Sequence, residues 1–172
     1  VTVIRPETID DCEEAAALHV VAWQVGYKGL LPDDYLATLD PAIWATVRRD
    51  RLEQTLPRQS LIAETDGRIS GFVIFGDKRD EADHNLFHPE TGEIYAIYVH
   101  PDYWGTGVAD ALIRTALAGL TQAEVQLWVL EENHRARRFY ARYGLYPDGT
   151  REFYQPRGTD VQAPELRLSV RR

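Results

Sequence analysis

The strongest constraint on the fold lies mid-chain, where two short apolar runs flank one amphipathic stretch. Glu93–Val99 and Val125–Leu130 read as strands, and Gly105–Leu120 between them sets Val108, Ala109, Leu112, Ile113, Ala116 and Leu117 on one helical stripe. A strand, a helix and a strand in this order form a crossover that joins parallel strands in a right-handed sense. The rest of the chain then has to extend that sheet or cover its faces.

Upstream, Val1–Arg5 reads as a short strand closed by Pro6. Thr8 and Asp11 make a capping-box start for a helix carrying Ile9, Cys12, Ala16, Val20 and Trp23 on one face, ended by Gly26 and Gly29. Asp40 as N-cap and Pro41 at the first position open a second helix with Ile43, Trp44, Val47 and Leu52. Leu61–Glu64 and Ile69–Phe75 flank Thr65-Asp66-Gly67-Arg68, an antiparallel hairpin signal. Gly76 to Gly92 is polar and aperiodic, so a long loop is expected there.

Downstream, Asn133–Tyr143 reads as a helix stopped by Gly144, then comes a loop rich in Gly, Pro and Asp, and Glu165–Val170 is a strand. The element order is β-α-α-β-β-β-α-β-α-(β)-β. It specifies an α/β domain of the α+β-like kind over residues 1–172, a mixed central sheet with helices on both faces.

Charge narrows the function classes. The 172 residues carry a formal net charge of −8, which argues against nucleic acid or an anionic membrane as partner. The surplus is one-sided: residues 1–93 hold 18 Asp+Glu against 9 Lys+Arg, and residues 94–172 hold 9 against 10. One cysteine forms no internal disulfide, and no apolar run approaches the ~18 residues of a membrane span. No signal segment opens the chain, so a cytoplasmic location is expected.

Two stretches carry chemistry. Val99-His100-Pro101-Asp102-Tyr103-Trp104-Gly105-Thr106-Gly107-Val108-Ala109 is a strand, a turn and a glycine-rich helix start. Open backbone N–H groups and the positive helix end suit a phosphate or pyrophosphate there, and a tight turn without a ligand is the plain alternative. Position 110 is Asp, which breaks the dinucleotide pattern G-x-G-x-x-G, and no G-x-x-x-x-G-K-[ST] loop occurs. The second stretch is Asn133-x-x-Ala136-x-x-Phe139-Tyr140-x-x-x-Gly144, which sets Asn133 and Tyr140 seven positions apart on one helical face. Its plain alternative is Asn133 as N-cap with Phe139 and Tyr140 as core aromatics.

Together these stretches resemble the GCN5-related N-acetyltransferase (GNAT) superfamily. The acetyl-CoA motif Gln/Arg-x-x-Gly-x-Gly/Ala falls on 104–109, with Gly107 and Ala109 in place and Trp104 departing from Gln or Arg. The second signature matches from Asn133 to Gly144 at every specified position. The resemblance implies a splayed parallel strand pair holding acetyl-CoA as cosubstrate. Backbone at Ile97, Tyr98 and Val99 would meet the pantetheine arm. Trp104, Gly105, Thr106, Gly107, Val108 and Ala109 would cradle the pyrophosphate, with Asn133 on the arm and Arg138 helping the phosphates.

It also implies Tyr140 as general acid to the leaving thiolate, and Glu93 as base, directly or through water, or else a water chain in its place. Trp23 and Tyr27 would line the pocket of a cationic small-molecule or peptide amine, drawn by the acidic N-terminal half. Dimers are frequent among such proteins, so a homodimer is a further expectation. The alternative function is a regulatory module that binds an acyl-CoA without turnover, toward which Trp104 leans. Cys12 stands among Asp10, Asp11, Glu13 and Glu14, which suppress a thiolate, so direct attack in a ternary complex is expected over a covalent route. His84-x-x-x-His88 has metal-like spacing in a loop but runs into Pro89, and no metal is expected.

Overall fold

The computed structural model describes residues 1–156 and 158–172. Its strands are β1 (Thr2–Pro6), β2 (Arg58–Thr65), β3 (Arg68–Arg79), β4 (Phe87–Val99), β5 (Glu124–Leu130), β6 (Tyr146–Tyr154) and β7 (Ala163–Arg171). They form one sheet in the order β1-β2-β3-β4-β5-β7-β6, antiparallel throughout except for β4 and β5. The helices are α1 (Cys12–Gly26), α2 (Asp33–Ala37), α3 (Pro41–Glu53), α4 (Val108–Gly119) and α5 (His134–Ala141).

The crossover forms as its pattern requires. Val108, Leu112, Ile113 and Ala116 of α4 are buried against Val73, Phe75, Ile94, Val99 and Leu127 on one sheet face. Ala15, Leu18 and Ala22 of α1 cover Ile62, Phe72 and Ile74 on the other. Asp40 caps α3 as expected, its Oδ1 accepting from the Ala42 N–H at 2.9 Å. The β2–β3 hairpin turns on a left-handed pair, Asp66 at φ 50° and Gly67 at φ 78°.

Two expectations need correction. The long loop over 76–92 is mostly strand, because β3 runs on to Arg79 and β4 begins at Phe87. Register shifts at Ile74/Phe75 and Asp77/Lys78, together with polar side chains, erase the period-2 apolar signal there. The Gly-, Pro- and Asp-rich stretch read as a loop holds β6, the bracketed strand of the element order, an edge strand whose pairing slips between Pro147 and Arg151.

A buried ion pair ties α3 to the sheet. Arg48 Nε donates to Glu7 Oε1 at 2.7 Å and Nη2 to Oε2 at 3.0 Å, with both residues under a tenth exposed. Ser60 also donates to Glu7, and the Arg48 guanidinium lies 4.1 Å over the Phe72 ring. Removing one partner strands the other charge in the interior. Arg48→Met is therefore expected to cost about 3–5 kcal/mol in urea unfolding, and Glu7→Leu/Arg48→Met to cost less than the single change. Equal losses in the two variants would show that the pair itself is not what holds α3.

Candidate functional site

β4 and β5 are paired only at Gly92–Val125 and Glu93–Gln126. Just past that point β4 carries a bulge: Ile94 faces Phe75 and Ala96 faces Ile74, which leaves Tyr95 without a partner on β3. A bulge bends its strand and adds local twist, and here it turns β4 away from β5. The gap opens into a cavity of about 850 Å³. Ile97, Tyr98 and Val99 line it from one strand, and Leu127, Trp128, Val129 and Leu130 from the other.

On the α4 side the cavity meets the glycine turn. Gly105 and Gly107 have φ of 76° and 90°, values that disfavour any side chain, and a Cβ at either would meet nothing within 4 Å. The backbone thus faces open space there. The first α4 bond runs from the Ala111 N–H to the Gly107 carbonyl, which leaves the N–H groups of Val108, Ala109 and Asp110 at the open end. This arrangement fits an anion. Gly105, Gly107 and Ala109 line the cavity, whereas the Val108 side chain is buried in the core and the Thr106 hydroxyl turns back to the Tyr103 carbonyl.

Trp104 holds this turn in place. Its indole Nε1 donates to the Val99 carbonyl at 3.0 Å, so that carbonyl is already engaged at the end of β4. The other side of the site comes from α5, where the Asn133 side chain accepts from the Ala136 N–H at 3.2 Å and caps the helix. Asn133 is thus both the N-cap of α5 and a cavity residue.

The helical period puts Arg135, Phe139 and Arg142 on the cavity face and His134, Arg138 and Ala141 on a separate surface depression. Arg138, expected to help the phosphates, is therefore on the wrong side of α5. Arg135 is on the cavity face: its guanidinium lies 3.6 Å over the Trp104 ring, beside the glycine turn. Sequence reading treated Trp104 as the loss of a polar group, and the stacked arginine restores one from another element.

Tyr140 reaches the gap from α5, and burial pushes its phenol well above the usual range, with Tyr98 adding to the effect. On the opposite sheet face, His19, Trp23 and Tyr27 line the cavity from α1 and join Tyr98 and Tyr154 in one aromatic wall. The Tyr27 and Tyr98 hydroxyls are 2.9 Å apart. Burial and nearby arginines push the His19 imidazole well below its ordinary value, so it stands neutral in this wall.

Glu93 is 2% exposed and both its oxygens are engaged. The Arg79 N–H donates to Oε2 at 2.8 Å and Arg79 Nη2 to Oε1 at 2.9 Å, a contact that exists because β3 extends past its expected end. Two further carboxylates line the cavity, Glu152 of β6 and Glu165 of β7, and sequence reading missed both. Only the alternation within β7 hinted at Glu165, since Leu166 and Leu168 face the core on either side of the strand's polar positions.

His84 lines the cavity while His88 sits 2.9 Å from Asp80, and no group of three or more metal-ligating side chains occurs among the described residues. Cys12 is fully buried, its thiol pushed up by burial and by Glu7. No helix among the described residues is long and apolar enough to cross a membrane.

Comparison with known proteins agrees with this geometry. The family described as the Acetyltransferase (GNAT) family matches residues 23–145. A probable N-acetyltransferase of Mycobacterium tuberculosis is 29% identical over 158 residues, covering 89% of this chain and 84% of its own. An uncharacterized N-acetyltransferase of Mycobacterium bovis is 32% identical over 148 residues, covering 83% and 88%. Among solved structures, the PaiA N-acetyltransferase of Thermoplasma acidophilum in complex with coenzyme A has a TM-score of 0.77 at 17% identity, covering 100% of this chain and 99% of its own. YncA of Salmonella typhimurium with acetyl-CoA has a TM-score of 0.67 at 18% identity, covering 99% and 93%. With the match extending over the crossover, the glycine turn and α5, the chain belongs to the GNAT family of acetyltransferases.

Proposed function

We propose that this protein transfers an acetyl group from acetyl-CoA to a primary amine by direct attack in a ternary complex. The observation that carries the reading is the divergence of β4 from β5 directly beside the open glycine turn, with Tyr140 set in the gap. Acetyl-CoA, when bound, supplies the acetyl thioester. The turn at 104–109 and Arg135 would hold its phosphates, and the free edge of β4 around Ile97 and Tyr98 would meet its arm and polarise the thioester carbonyl.

Tyr140 keeps its proton at neutral pH because burial disfavours the phenolate. Burial makes the phenol a weak acid at rest, so its proton moves only as the C–S bond breaks and charge develops on sulfur. Glu93, with both oxygens held by Arg79, reaches the amine only through water. Trp23 and Tyr27 shape the acceptor pocket, whose aromatic rings suit a cationic amine. The regulatory-module alternative rested on Trp104, and the Arg135 stack removes that argument.

Thiol release over a panel of amines tests the activity, and binding of CoA with no turnover on any amine would return the regulatory module. Tyr140→Phe is expected to lower turnover by about 10²-fold or more while leaving CoA affinity within about twofold. A wild-type rate in that variant across pH 7–9 would remove the general-acid role. Arg135→Ala is expected to weaken CoA binding by about tenfold in calorimetry and to leave pantetheine binding unchanged, because pantetheine lacks the phosphates. An equal loss for both ligands would place Arg135 elsewhere on the arm.

A further inference from the structure

We infer that Glu165, paired with Glu152, is the group that takes the proton from the acceptor amine. The inference rests on the proposed acetyl transfer and assigns the direct proton acceptor that Glu93, held at both oxygens, is poorly placed to be.

The geometry begins with register. Glu152 and Glu165 are directly opposed on the β6–β7 ladder, and both line the cavity. Like charges at opposed positions repel, so a half-buried pair of carboxylates is stable only when a proton or a cation lies between them. Their strands place them on the sheet face of the aromatic wall, because Leu166 and Leu168 on either side of that face's residues turn to the α4 side. Trp23, Tyr154 and Tyr140 line the same cavity as this pair, and Tyr98 stands close enough to interact with both Tyr140 and Glu165. The buried Trp23 indole N–H lines the same cavity and has no hydrogen-bond partner among the described residues.

The charged and titratable groups facing Glu165 are known from each neighbouring element. They are Glu152 and Tyr154 from β6, Glu93 and Tyr98 from β4, and Arg79 from β3. Arg79 opposes protonation but is bound to Glu93, while Glu152 and Glu93 favour it. Burial, the Glu152 contact and Glu152 charge together push the Glu165 carboxyl up to about 8. A base matched to neutral or mildly alkaline pH takes an ammonium proton far better than an ordinary carboxylate does.

The step balances. The Glu165 carboxylate takes one proton from the ammonium, and the freed lone pair on nitrogen forms the C–N bond as the C–S bond of the thioester breaks. The thiolate takes the Tyr140 proton, the second proton of the amine nitrogen restores the phenol, and the proton on Glu165 leaves to water.

The test pairs pH–rate profiles with direct titration. With an accepted amine, kcat/KM of the wild type is expected to rise with pH through a midpoint near 8 and to level off above it. Glu165→Gln is expected to lose that limb and about 10²-fold or more in rate. Glu152→Gln is expected to move the limb to lower pH, because the neutral partner no longer repels the carboxylate and its amide can donate to it. Carbon-13 NMR of labelled glutamate carboxyls in the free protein is expected to show one titration near pH 8 that vanishes in Glu165→Gln. Methylammonium as probe should shift it downward.

If Glu165→Gln does not fold, the Glu152→Gln shifts in rate and NMR decide. A limb unmoved by Glu152→Gln, or glutamates that all titrate below about 6, overturns the inference. A limb lost only in Glu93→Gln overturns it while leaving acetyl transfer intact. If no amine turns over, the proposed function fails and the NMR titration still judges Glu165.

Discussion

The site depends on one constraint: β4 and β5 are joined at two residue pairs and then part. Backbone groups on separating strands lose their sheet partners, and a buried unpaired N–H or C=O is costly. The chain meets this in part by itself, since Trp104 occupies the Val99 carbonyl. What stays open along the rest of the edge is a row of polar groups in an apolar gap, a ready partner for an extended chain with amides of its own. The bulge at Tyr95 that turns β4 aside therefore creates both the space and the hydrogen-bonding demand inside it.

The two sheet faces divide the chemistry. The α4 side supplies helix-end N–H groups and arginine, suited to phosphate. The α1 side supplies rings and carboxylates, suited to a cation. This division is sharper than the charge count along the chain suggests. Glu165 and Glu152 belong to the near-neutral half, yet they line the cavity on its α1 side, and Arg79 and Arg51 of the acidic half stand among the carboxylates lining the same cavity. Net charge per segment describes long-range steering. The pairing of particular charges is decided by strand register.

Much of the frame was legible because local signals agree with the global pattern. The crossover, the α1 stripe, the Asp40-Pro41 start and the Asp66-Gly67 hairpin each combine periodicity with a terminating residue. The motif residues Gly105, Gly107, Asn133 and Tyr140 converge on one cavity, as spacing and family resemblance implied. What was not legible depends on contacts between distant segments. Arg135 over Trp104 joins residues 31 positions apart, and Glu152 meets Glu165 only through a ladder whose register slips at Pro147. Arg79 reaches Glu93 because a strand continues where its side chains are polar, so no apolar alternation marks it. Arg138 was misplaced because the helical arc that faces the cavity cannot be fixed until β5 and α4 are in position.

The order of the sheet has a consequence for assembly. β7 follows β6 in the chain but lies between β5 and β6, so β5 cannot gain its antiparallel neighbour until the chain has run through β6 and returned as β7. Until then Val125, Leu127 and Val129 belong to a bare apolar edge, the kind of surface that invites pairing with another chain. Closure of this edge joins residues tens of positions apart and is slow by nature. The same event brings Glu165 to the cavity wall, so the nascent fold acquires this carboxylate only when the apolar edge of β5 is covered.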